Sequence, residues 1–355
     1  MERLNGIRSH ITNGSSLGDV SQKDICAIIG VSPSTSARSP KVWNYAFGQL
    51  EMDATFLSFD VPETENNESL RRVVSAIKTE DAIRGIAVTN PYKQKVIPLL
   101  DGVDEKARKI GAVNFIRRME DGSLHGYNTD GMGGLASLLD VTPGKIPLMN
   151  TLKGNNVLMY GAGGAARALA FYFAEAIGSN GKLYVANRNA STASSLCASL
   201  NSFAQSNFGA HNSFVAVPLH EEEPYRMARL NKLDVGLVVN ASNKGQKGSL
   251  ENYSALYSAN PLIGDDEATV RSNERDLSIN LLASEDLISW LPTEVPFFDA
   301  VHTPAQSRML TQATVYRHRV LNGKPMNVLQ AAKAFGIIYS GVDKNKVLDL
   351  MHNTP

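Results

Sequence analysis

The chain has 355 residues, 43% of them hydrophobic, with 35 basic and 35 acidic side chains. That length exceeds one ordinary core and suits two domains. Charge balance without a long basic run argues against nucleic acid or an anionic membrane as a partner.

No segment reaches the roughly eighteen unbroken apolar residues of a membrane span. Cys26 and Cys197 lie far apart in apolar contexts and read as reduced residues of an intracellular, cytoplasmic protein. The histidines show no metal-ligand spacing, so no metal is expected. Residues 1–24 are polar, rich in Gly, Ser and Asn, and read as an extension or mobile arm. They lack the apolar core of a secretory signal.

From residue 25 the chain alternates. "ICAIIGV" (25–31) is a buried-strand run, followed by a loop of turn formers and a helix after Pro40. "DATFLSFDV" (53–61) is a strand, "NESLRRVVSAIKT" (67–79) an amphipathic helix and "GIAVT" (85–89) the next strand. This β-α-β-α-β order predicts a mainly parallel α/β sheet. "GAVNFIRR" and "SLHGYNTD" flank Asp121-Gly122, a hairpin signal, and a helix follows from 131.

A second α/β rhythm starts at 156. "NVLMYGAGGAARALAFYFAEAIG" reads as strand, glycine turn and helix, and "KLYVANRNASTASSLCASL" as strand and helix. Strands follow near 213–219, 234–242 and 295–301. Residues 201–213 and 265–285 are polar and read as surface insertions or loops. The last stretches, 325–341 and 344–353, are helical. The expected domains are 25–131 with 324–355, and 132–323, with a small-molecule cleft between them.

"GAGGAA" (161–166) matches G-x-G-x-x-[GA] between a strand and an apolar helix. Gly161 permits a tight turn, Gly163 lets a pyrophosphate approach the backbone, and Ala166 allows close helix–strand packing. Ala162, Gly164 and Ala165 complete the turn, and the helix N-terminus favours an anion. The next strand ends in Asn187-Arg188, where NAD-binding folds usually carry a carboxylate for the ribose 2′-hydroxyl. A guanidinium there suits a 2′-phosphate, which favours NADP, with NAD as the alternative.

Several stretches together resemble the shikimate/quinate dehydrogenase family. They are "SARSP" (36–40), "VTNPYK" (88–93), "GAVN" (111–114), "GYNTDG" (126–131), "GAGGAAR" (161–167), "NRN" (187–189), "NAS" (240–242), "FFDAV" (297–301) and "QAAKAF" (330–335). The resemblance implies a substrate domain plus a Rossmann domain, with C-terminal helices returning to the former. It implies an oxidoreductase of the shikimate pathway acting on a cyclic polyol carboxylate, 3-dehydroshikimate/shikimate first, as a monomer or homodimer.

By the same resemblance, Lys93 and Asp130 are the catalytic pair. Asn114, Thr89 and Gln330 contact substrate hydroxyls, Ser39 belongs to the carboxylate loop, and His302 stands at a substrate-side position. Ala241, Ser242 and Met326 join the cofactor residues. The chemistry is self-consistent: a hydride moving to a ketone leaves a developing alkoxide, and a lysine ammonium held by a carboxylate can protonate it.

The sequence departs from the family pattern at several places, Asn90 and Phe115 among them. Ala37 replaces one hydroxyl of the carboxylate loop, and His302 replaces a common tyrosine. Pro325 replaces a glycine, removing a backbone donor, and Thr192 stands where a second basic residue often meets the 2′-phosphate. Quinate or an aminated shikimate is therefore an alternative substrate. A ligand-sensing regulator of the same fold is the alternative class, although sensing alone needs neither Lys93 nor Asp130.

Overall fold

The structure is a computed structural model that describes residues 4–18, 20–139, 146–208, 214–259 and 261–355. The chain forms two compact units, Met1–Asp130 with Val328–Pro355, and Gly131–Asn327. Among the described residues no helix is long and apolar enough to cross a membrane.

The first unit opens with α1 (Asn5–Arg8), β1 (Asp24–Gly30), α2 (Pro33–Ser36), α3 (Ser39–Gln49), β2 (Ala54–Asp60) and α4 (Glu68–Lys78). It continues with β3 (Ile83–Val88), α5 (Tyr92–Lys95), β4 (Gly102–Val103), α6 (Glu105–Ile110), β5 (Phe115–Arg118) and β6 (Leu124–Tyr127). The sheet order is β2-β1-β3-β5-β6-β4. β1 runs parallel to β2 and β3, whereas β5 is antiparallel to β3 and β6. The β5–β6 hairpin turns at Asp121-Gly122, where Gly122 adopts φ +84° and Asp121 accepts from the Ser123 N–H at 2.9 Å.

After Asp24, β1 is apolar because both of its faces are covered. Ile25, Ala27 and Ile29 pack with Val73 and Ile77 of α4, and the alternate residues Cys26 and Ile28 pack with Val42, Trp43 and Phe47 of α3. Trp43 is the centre of the second layer, with ring centroids of Phe47, Phe56, Phe115 and Phe335 at 5.0–6.0 Å.

The N-terminal segment is not a mobile arm over its described residues. Leu4, Ile7 and Ile11 join the core on the α4 side. Asn13 brackets the edge strand β2, donating to the Ser58 carbonyl and accepting from the Asp60 N–H, both at 2.9 Å. One polar side chain thus satisfies strand-edge groups, a role that leaves no hydrophobic periodicity to read.

The second unit contains α7 (Asp130–Leu139, whose first residue counts with the first unit), β7 (Val157–Tyr160), α8 (Gly164–Ile177), β8 (Lys182–Asn187) and α9 (Ala190–Phe208). Then come β9 (Val215–His220), α10 (Glu223–Arg229), β10 (Leu237–Asn240), α11 (Glu267–Ser289), β11 (Phe297–Asp299), α12 (Arg308–Val315) and β12 (Val320–Leu321). The order β12-β11-β10-β7-β8-β9 is parallel throughout. Chain direction across the sheet reverses at β7, so a ligand crevice is expected outside its carboxyl end.

Both polar insertions need correction. Residues 201–208 finish α9, with Leu196, Leu200 and Ala204 buried at helical spacing, while 209–213 lie outside the described residues. Most of 265–285 is α11, capped by Asp266, whose side chain accepts from the Thr269 N–H. Its buried face includes Asn280 and Ser284. Asn280 replaces apolar contact with backbone hydrogen bonds to Ser254 and Tyr257.

The chain ends in α13 (Lys324–Ile338) and α14 (Lys344–His352). Val328, Ala331, Phe335, Val347 and Met351 from these helices complete the Trp43 layer of the first unit. This is the return of the C-terminal helices to the substrate domain.

Candidate functional site

Within the first unit, Lys93 lies on α5, the single turn that follows β3, and Asp130 begins α7 just after β6. The Lys93 Nζ donates to Asp130 Oδ2 at 2.6 Å, with the two side chains only 13% and 8% exposed. The Lys93 carbonyl accepts from the Val113 N–H at 2.7 Å, which ties α5 to the segment carrying Asn114.

Asn114 organises the remaining groups. Its Nδ2 lies 2.8 Å from Asp130 Oδ1, 3.0 Å from Thr129 Oγ1 and 3.3 Å from Gln330 Oε1. Its Oδ1 accepts from the Thr129 N–H at 2.8 Å. Thr129 Oγ1 also donates to Gln330 Oε1 at 3.2 Å. Asp130 therefore accepts through both oxygens, which fixes its carboxylate plane and the position of the ammonium. Lys93, Asn114, Asp130 and Gln330 thus meet in one network. Thr129 was not singled out from sequence, although its place inside N-T-D-G is the signal that could have found it.

Thr89 and Ser39 are positioned by other parts of the unit. Thr89 follows β3, and a Cβ at Gly30 would meet its Cγ2 at 2.4 Å, so Gly30 is required for the two strand ends to approach. Ser39 is buried at the start of α3. The Ser36 hydroxyl donates to the Ser32 carbonyl at 3.0 Å.

In the second unit the glycine turn has the stereochemistry its pattern implies. Gly161 has φ +110°, and a Cβ there would lie 2.8 Å from the Ala241 carbonyl oxygen. Its N–H donates to the Ala186 carbonyl at 2.8 Å. A Cβ at Gly163 would meet nothing within 4 Å, so the backbone there is open to an approaching group. Gly163 caps α8, which begins at Gly164 and continues through Ala165 and Ala166. Open backbone at a fourteen-residue helix N-terminus fits a dinucleotide pyrophosphate. Asn187 ends β8 and donates to the Asn189 carbonyl, while Asn189 caps α9. Arg188 follows directly, with no carboxylate at that strand end.

The strand ends beside this turn are stapled together. Asn240 accepts from the N–H and hydroxyl of Ser242, and donates to the Lys244 carbonyl and to Asp299. The Ala241 N–H donates to the Tyr160 carbonyl at 2.8 Å. Asp299 also accepts from Ser307 and from the Val301 N–H. Burial pushes the Asp299 carboxyl up to about 7, against the opposing pull of these donors. His302 hydrogen-bonds Thr303 at 3.0 Å through Nδ1. Met326 is buried on α13. Pro325 falls in the first turn of that helix, where a backbone N–H has no intrahelical partner, so its missing donor breaks no helix bond.

Residues 28–116 match the family model for the shikimate dehydrogenase substrate binding domain. The chain is 30% identical over 313 residues to a shikimate dehydrogenase (NADP(+)) of Alkaliphilus metalliredigens, covering 88% of this chain and 90% of that one. It is 39% identical over 185 residues to the Methanosphaera stadtmanae protein of the same name, spanning 52% of this chain and 58% of the relative. Among solved structures, the shikimate 5-dehydrogenase of Thermus thermophilus in complex with NADP(H) and shikimate superposes with a TM-score of 0.64 at 27% identity. That match covers 94% of this chain and 100% of that one. Full-length similarity at this level, together with the substrate-domain match, means that the chain belongs to the shikimate dehydrogenase family.

Proposed function

We propose that this protein is an NADP-dependent dehydrogenase that interconverts shikimate and 3-dehydroshikimate, with Lys93 and Asp130 as its acid/base pair. The 2.6 Å ion pair between them, locked by Asn114 and nearly closed to solvent, carries the reading. NADP, when bound at the glycine turn with Arg188 on its 2′-phosphate, supplies or accepts the hydride.

In the reducing direction the Lys93 ammonium delivers a proton to the ring oxygen as negative charge develops there. In the oxidising direction the neutral amine takes that proton from the ring hydroxyl. Asp130 holds the Lys93 Nζ in both directions. Asn114, Thr89 and Gln330 present fixed polar groups to the ring hydroxyls, so orientation is set before the chemical step. Ser39, at the start of α3, would meet the ring carboxylate.

Turnover should be followed by nicotinamide absorbance with shikimate or quinate, each with NADP⁺ and NAD⁺. Shikimate with NADP⁺ is expected to react fastest. Lys93→Met should lower kcat by about 10²- to 10⁴-fold, the range for a lost proton-transfer group. Shikimate affinity, measured by calorimetry, should change by less than about tenfold. Unchanged turnover in Lys93→Met overturns the mechanism. Tight binding of shikimate and NADP⁺ with no turnover in any mixture makes the protein a sensor instead.

A further inference from the structure

Glu221 and Lys244 form an ion pair in the second unit that the proposed reaction does not use. Their side chains are 7% and 10% exposed, with Nζ to Oε2 at 2.8 Å. Lys244 also donates to the Tyr257 carbonyl at 2.7 Å. The second carboxylate oxygen, Glu221 Oε1, is buried without a hydrogen-bond partner among the described residues.

The strand register places this pair beside the cofactor residues. β8 and β9 are parallel and pair Asn187 with His220. The next residues, Arg188 and Glu221, therefore leave adjacent strand ends side by side. Lys244 arrives from the loop after β10, two residues beyond Ser242. Glu222, the next acidic residue, is engaged by Ser258 and Arg226, the latter at 3.5 Å. Burial lowers the Lys244 pKa, Glu221 raises it, and Arg188 lowers it as a nearby like charge.

A carboxylate next to Arg188 is a competitor for the guanidinium and repels a phosphate dianion. It is also the group that NAD-binding folds use to hold a ribose hydroxyl. Its ion pair with Lys244 weakens both tendencies. Resting on the reading that Arg188 meets the 2′-phosphate, we infer that Lys244 is a cofactor-specificity residue, a positioning group that cancels Glu221 and keeps this strand end cationic toward NADP.

The test is calorimetric titration of the full chain with NADP⁺ and NAD⁺, alongside thermal unfolding of each variant. Lys244→Met should reduce the NADP⁺-over-NAD⁺ affinity ratio by at least about tenfold, mainly by weakening NADP⁺. Glu221→Gln keeps an acceptor oxygen and removes the charge, so it should hold or raise the ratio. The double variant should return to within about threefold of the unsubstituted ratio. A folded Lys244→Met with an unchanged ratio, or an equal loss of both cofactors, overturns the inference. If Lys244→Met does not fold, a ratio that falls in Glu221→Gln overturns it instead. An unsubstituted chain that does not prefer NADP⁺ refutes the underlying cofactor reading, a separate outcome visible before any variant is made.

Discussion

Asp299, at the end of β11, is surrounded by neutral donors: the Asn240 amide, the Ser307 hydroxyl and the Val301 N–H. Its carboxyl is raised from 3.8 to about 7 because burial outweighs those hydrogen bonds. The linkage follows from that direction. Between these two values the folded state holds a proton that the unfolded chain has released. The group's contribution is thus fully present below about pH 4 and lost as pH rises through about 7. Asp299→Asn keeps the geometry, since the amide oxygen can accept from Asn240 and Val301 while its NH₂ donates to Ser307. Denaturant unfolding at pH 5 and pH 8 should show a smaller loss of stability across that interval in Asp299→Asn than in the unsubstituted protein. Identical losses would show that Asp299 is ionised throughout.

The turn between β7 and α8 separates two demands that its sequence pattern merges. Gly161 answers to the fold, because its φ of +110° and the 2.8 Å approach of the Ala241 carbonyl leave no room for a Cβ. Gly163 is free of that demand, because its Cβ position is open. Gly161→Ala should destabilise the protein by about 1–3 kcal/mol in denaturant unfolding. Gly163→Ala should change stability by less than about 0.5 kcal/mol yet weaken NADP⁺ binding by placing a methyl where the pyrophosphate approaches. Equal destabilisation by both would sink this division. The same turn shows what sequence makes legible: an apolar run such as 157–160 next to glycines is readable because burial and backbone freedom leave residue-type signatures. α11 was not readable, since Asn280 and Ser284 occupy its buried face and only tertiary partners reveal them. In the site, Lys93, Asn114, Asp130 and Gln330 were accessible through their motifs. Glu221 and Lys244 were isolated charges 23 positions apart until the strand register brought them together.

At the scale of the molecule, the first unit is discontinuous: Met1–Asp130 is completed by Val328–Pro355, with the second unit encoded between them. The Trp43 layer is completed by Phe335, Val347 and Met351 from the last two helices, so the face of β1 and β2 that α3 covers is only partly covered until these residues arrive. Gln330, which closes the polar network around Asn114, belongs to the same late segment. This gives synthesis a direction that ordinary N-terminal-first folding does not have. During synthesis the second unit is complete in sequence while the first still lacks part of its aromatic layer. Nascent chains arrested before α13 emerges should contain a protease-resistant second unit and a digestible first one. Release of the final helices should then confer resistance and a complete substrate network in a single step, which makes the C-terminus the checkpoint at which the chain becomes an enzyme.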